Sequence, residues 1–143
     1  MSIDYGSESE YQDAIVDGLE AKGWVIQVHS DENCRYIPDL SFSANGVGGW
    51  IEVKYCPKPP ETLGHIRHYT KGQELWLRKH GERGTGHCYL LVGTPLEHLL
   101  LRWDSLKAAR HAPFHALWDR LGVVGKPTLQ EMVYFLGRHI TAR

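Results

Sequence analysis

The sequence predicts an α/β fold with the element order α-β-β-β-α-β, a mixed sheet flanked by helices, and a further strand and helices after it. Three observations predict it. Capping boxes open helical stretches at Ser7/Glu10, Thr70/Gln73 and Thr128/Glu131. Asn45-Gly46 stands between two β-prone runs and signals a tight hairpin. Cys88–Val92 is a continuous apolar run of strand length.

The elements follow in order. Tyr11, Ile15 and Leu19 recur every fourth residue behind Ser7, giving a helix with one apolar stripe that Gly23 ends. Trp24–His29 is a short β-prone run, closed by the polar loop SDENCR. Ile37–Ser43 and Gly49–Tyr55 are the two strands around the turn, and Pro57, Pro59 and Pro60 open a loop to about Tyr69. A helix then runs from Thr70 to Gly81, the loop GERGTG leads to Cys88–Val92, and His98–Trp103 is a further strand. In the tail, Asp104 caps a short helix, Pro113 starts the next, Gly122 ends it, and the last helix runs toward His139.

At 143 residues the chain can bury a core as one domain, with a core over about 7–93 and a helical extension over about 104–143. Its composition, 42% apolar and 23% charged, is that of an ordinary globular chain. It has no apolar run of membrane-spanning length and no basic-then-apolar leader, so no membrane partner and a cytoplasmic location are expected. Cys34, Cys56 and Cys88 are widely spaced and odd in number, which suits small buried hydrophobes in a reducing compartment. The net charge of −1 is unevenly spread: residues 1–33 hold eight acids against Lys22 alone, while 58–83 hold six Lys and Arg against three acids. A neutral total can therefore conceal a basic face suited to a polyanion. Arg67, Lys71, Arg78 and Lys79 flank the second helix and are candidates for a DNA backbone; an ordinary solvated helix face is the equal alternative.

The stretch PDLSFSANGVGGWIEVK carries the chemistry, because it places Asp39, Glu52 and Lys54 in runs that otherwise read as buried strands. Alternate side chains of a strand share a face, so Trp50, Glu52 and Lys54 point one way and Ile51, Val53 and Tyr55 the other, toward the core. With Asn45 and Gly46 as the turn, Ala44 pairs Val47, and counting back brings Asp39 opposite Glu52, roughly 5 Å apart at Cβ. A bulge at Gly48-Gly49 would instead put them on opposite faces. Carboxylates that close need compensation, which a hard divalent cation such as Mg²⁺ supplies. Lys54 beside them can orient a hydroxide or stabilise charge on a phosphate. Metal, water and ammonium are what phosphodiester hydrolysis requires.

Pro38-Asp39 with Glu52-Val53-Lys54 resembles the signature of the PD-(D/E)XK nuclease superfamily. Ser7–Gln12 resembles the first helix of its VRR-NUC and phage-type members, which are related to Holliday-junction resolvases. Gln73-Glu74-Leu75-Trp76-Leu77 resembles their Gln-x-x-Trp-Leu helix, so the likeness covers residues 7 to about 93. It implies a restriction-endonuclease-like core and a Mg²⁺-dependent endonuclease of DNA, with Mn²⁺ substituting; cleavage of branched or junction DNA, simple nicking and restriction-like cutting are competing modes. It implies Asp39, Glu52 and the Val53 carbonyl as metal ligands and Lys54 as the catalytic residue on the base side. The acid that the family adds from its first helix falls on Glu8, with Glu10 as the alternative. Gln73 is either an active-site amide or simply the capping partner of Thr70. Members often act as dimers, so a homodimer is compatible with the likeness, and a phage-encoded member would work in the host cytoplasm. The alternative function is an inactive nuclease-fold module that binds DNA or protein.

The remaining candidates are weaker. His65/His68 and His111/His115 have helix-face spacing but no clear third ligand, which favours solvated or phosphate-contacting histidines. NGVGG precedes no helix and so resembles no phosphate loop. Trp76, Trp103 and Trp118 read as core.

Overall fold

The structure is a computed structural model, and residues 4–29, 36–84, 86–117 and 129–141 are described. Helix α1 (Glu8–Ala21) starts where Ser7 Oγ accepts the Glu10 N–H at 3.1 Å. Its stripe of Tyr11, Ile15 and Leu19 is fully buried. Gly23, with φ 90°, turns the chain into strand β1 (Val25–Val28).

Strands β2 (Leu40–Ala44) and β3 (Val47–Tyr55) form the hairpin. Asn45 and Gly46 have φ of 52° and 80°, the pair of positive values that the tightest hairpin turn requires. Ala44 stands opposite Val47, Ser43 opposite Gly48 and Leu40 opposite Ile51, so the glycine pair hosts no bulge. Gly49 has a packing reason instead: a side chain there would overlap the His87 carbonyl and the Phe42 ring.

Helix α2 (Lys71–Arg83) carries a complete capping box between Thr70 and Gln73. It crosses over to β4 (Cys88–Gly93), which pairs parallel to β3, and β5 (His98–Arg102) returns antiparallel. The result is a mixed sheet of five strands in the order β1-β2-β3-β4-β5. One apolar layer, including Leu40, Ile51, Val53, Leu91 and Leu100, lies under α1 and the last helix α4 (Leu129–Thr141). The other, including Leu77, Leu90, Val92, Leu99 and Leu101, lies under α2 and the short α3 (Leu106–Ala109). Each fully buried aliphatic side chain contributes about 1.5–3 kcal/mol, and every residue of β4 is buried, so β4 centres both layers.

The tail departs from expectation. Asp104 caps no helix; Arg102 captures its carboxylate, with Nε donating at 2.9 Å, and Trp103–Ser105 forms a 3₁₀ turn leading into α3. After Pro113 a 3₁₀ turn over Phe114–Ala116 leads to a helical Leu117, and the rest of the helix expected up to Gly122 lies outside the described residues. Cys34, Trp118, Gly122 and Thr128 lie outside the described residues. Among the described residues no helix is long and apolar enough to cross a membrane.

Candidate active site

The alternation of β3 sends Ile51 and Val53 into the α1 layer and Trp50, Glu52 and Lys54 toward the α2 side. Asp39 precedes β2 but continues its register. Its N–H donates to Glu52 Oε1 at 3.2 Å, and its Oδ2 accepts the Val53 N–H at 2.8 Å. The Asp39 carboxylate thus takes the ladder position that a backbone carbonyl would fill, which fixes it against β3. The register set by Asn45-Gly46 brings Asp39 and Glu52 together, as their positions in the sequence imply.

Lys54 closes the cluster. Its Nζ lies 3.0 Å from Glu52 Oε2 and 3.9 Å from Glu8 Oε1, and it donates to the His68 carbonyl at 3.0 Å. Glu52 and Lys54 are only 2% and 3% exposed. His68 has φ 66°, a left-handed conformation that is uncommon outside glycine, and its carbonyl is the one that meets the buried ammonium. Glu8 reaches the cluster because the chain ahead of α1 is anchored to the end of β3: Tyr55 Oη accepts the Tyr5 N–H at 3.1 Å and donates to Asp4 at 3.0 Å. Of the two helix acids, then, Glu8 is the one at the site, while Glu10 is exposed and supplies its N–H to the cap. The Gln73 side-chain oxygen accepts the Thr70 N–H at 3.0 Å, so the structure uses this amide as a capping group.

Burial dominates the electrostatics. Desolvation, and then the neighbouring Asp39 charge, pushes the Glu52 carboxyl up to about 8 despite the help of Lys54. Asp39 is raised by burial, with the Val53 N–H and Lys54 pulling the other way. Glu8 is also raised by burial, and Lys54 opposes that shift. Without a further cation, the pair therefore holds a proton at neutral pH. Two oxygen donors that retain a proton for want of positive charge fit a hard divalent ion, which would replace that proton. Among the described residues no group of three or more His, Cys, Asp or Glu side chains is arranged to hold an ion. Cys56 and Cys88 are pushed up to about 11 by burial, which leaves neither as a thiolate nucleophile at neutral pH.

Other expectations fall elsewhere. His65 Nδ1 pairs with Thr62 Oγ1 at 2.7 Å, and His111 and His115 are exposed. Arg67 and Lys71 are exposed, whereas Arg78 and Lys79 line an open groove of about 690 Å³ along α2. Trp76 and Trp103 also line this groove and are half-buried rather than core residues. The acidic cluster is not part of the groove lining. His29, not singled out from the sequence, flanks the cluster: its N–H donates to the Asp39 carbonyl at 2.8 Å, and its ring lies 5.0 Å from Trp50 and bonds Ser41 Oγ at 2.8 Å. The β1–β2 register places it there, and the intervening SDENCR loop carries no turn signal from which that register could be read.

No protein-family model matches the sequence, and no curated protein matches it. What the site does therefore rests on its own geometry.

Proposed function

We propose that the chain is a divalent-metal-dependent DNA endonuclease of the PD-(D/E)XK type that hydrolyses phosphodiester bonds. The observation that carries this reading is the half-buried Asp39 hydrogen-bonded to the buried Glu52, with the buried Lys54 ammonium 3.0 Å from Glu52 Oε2. Burying Glu52 and Lys54 with Asp39 half-buried beside them is costly and calls for a compensating role. Asp39 and Glu52 would hold Mg²⁺ or Mn²⁺, together with the Val53 carbonyl: a strand residue directs its N–H and C=O to the same side, and the Val53 N–H meets Asp39. When bound, the ion supplies charge stabilisation and a more acidic water.

The protein's own groups do the rest. Lys54 Nζ is held by Glu52 and His68, so it is fixed in direction and can donate to an attacking water or to a phosphoryl oxygen. Glu8 borders Lys54, with Oε1 3.9 Å from Nζ. As water adds at phosphorus and the phosphodiester P–O bond to the leaving oxygen breaks, the proton lost by the water passes to solvent and the departing alkoxide takes a proton from a solvent water. Branched and junction DNA are the substrates that the resemblance favours. One observation favours a second reading, an inactive nuclease-fold module: Lys54 is already satisfied by partners within the protein.

Cleavage assays on duplex, single-stranded and branched DNA, with Mg²⁺, with Mn²⁺ and with chelator, separate the two. Metal-dependent cleavage that falls by about 100-fold or more in Lys54→Ala is expected, the order of effect of losing one electrostatic donor. Wild type and Lys54→Ala equally inert on every substrate would favour the binding module.

A further inference from the structure

We infer that the groove along α2 is a docking site for single-stranded DNA that leads an unpaired strand to the Asp39 cluster. The inference extends the nuclease reading by naming the substrate's form.

Its walls are aromatic. The Tyr36 ring lies against Gly72 and the Trp103 ring against Gly81, and a methyl at either glycine would overlap the ring. Two glycines inside one helix thus let flat side chains rest on its surface. Between them, Trp76 stacks with His80 at 3.6 Å, and Leu75 is exposed in the lining. Tyr36 is 45% exposed, which leaves ring surface for a base.

The charge is complementary to a phosphate backbone. Arg78, Lys79, Arg83 and Lys107 line the groove. Its acids are Glu82 and Asp104, and Arg102 already neutralises the latter. Basic side chains alternating with stackable rings match a flexible strand whose bases are free, whereas a duplex hides its base faces. The groove neighbours the acidic cluster without including it. Tyr36 precedes Asp39 by three residues, and Trp76 meets Trp50 edge-to-face at 5.1 Å on the side of β3 that carries Glu52. A strand lying in the groove would enter the site from the Tyr36–Trp76 end.

The test is fluorescence anisotropy of the full chain with labelled oligo(dT), oligo(rU) and a duplex, in chelator so that nothing is cut. Tighter binding of oligo(dT) than of duplex or oligo(rU) is expected. Lys79→Ala combined with Arg83→Ala should weaken oligo(dT) binding about tenfold and flatten its salt dependence by about 1.4 in log–log slope. Tyr36→Ala should weaken it about five-fold or more, Tyr36→Phe should restore it, and the exposed Lys58→Ala should leave it unchanged. Equal or tighter binding of duplex or oligo(rU), or wild-type binding by the basic double variant and Tyr36→Ala, would overturn the inference. Because no metal is present, oligo(dT) binding in a protein that cuts nothing would leave the groove standing while the nuclease reading fell. Metal-dependent cleavage unaltered by the groove variants would do the reverse.

Discussion

Glu52 holds a proton that an exposed glutamate would have lost, and this single displacement shapes the chemistry around it. Its carboxyl stands at about 4.5 in the unfolded chain and is pushed up to about 8 in the fold, by burial and by Asp39. Between those values the folded state binds the extra proton, so stability falls as pH rises across that window. Asp39 and Glu8 are also raised, with the same sign, so the comparison must be with a variant that lacks only Glu52. In metal-free buffer, the melting temperature of wild type relative to Glu52→Gln should decline steadily between about pH 5 and pH 8. Parallel pH profiles for the two proteins would show that Glu52 is not the buried acid described here. At this scale the sequence was informative. Period-two alternation and one Asn-Gly turn were enough to align Asp39, Glu52 and Lys54, because a hairpin register allows no half-measures. What it left open depends on contacts in the fold: Glu8, not Glu10, lies 3.9 Å from Lys54 across the chain, and the Gln73 amide oxygen meets the Thr70 N–H locally.

Among the elements, α2 shows how packing overrides propensity. Alanine is favoured over glycine inside a helix by about 1 kcal/mol, so propensity alone would stabilise Gly81→Ala. The Trp103 ring occupies the space that the new methyl needs. Urea denaturation should therefore show a net loss of about 1–3 kcal/mol, the cost of overpacking a fitted contact, with a change in tryptophan fluorescence as Trp103 is displaced. A stabilised variant with unchanged fluorescence would mean that the ring does not rest on this glycine. Elements with local signals were legible: α1 from its stripe, α2 from its capping box, the hairpin from its turn. The cap at Asp104 was not, because its carboxylate is drawn to Arg102, a competition that leaves no periodic trace. Trp76 and Trp103 read as core for a similar reason: apolarity alone does not distinguish a buried ring from one lying on a helix glycine.

For the whole molecule, the layout separates two tasks. A five-stranded mixed sheet is clamped between two apolar layers, and β3 carries the charged cluster on its α2 side while its other face anchors the core. The layers supply the stability that offsets the buried charges; α1 delivers Glu8, the residue before β2 delivers Asp39, β3 delivers Glu52 and Lys54, and the chain ahead of α2 delivers the His68 carbonyl. The central claim is that this cluster is arranged for a divalent cation that displaces a proton. Calorimetric titration of the full chain with Mn²⁺, repeated in buffers of different ionisation enthalpy, tests it most directly. The account predicts saturable binding that strengthens from about pH 6.5 to pH 8 with proton release on binding, and loss of that binding in Asp39→Asn. Binding that is absent in wild type, or that survives unchanged in Asp39→Asn without proton release, would contradict it.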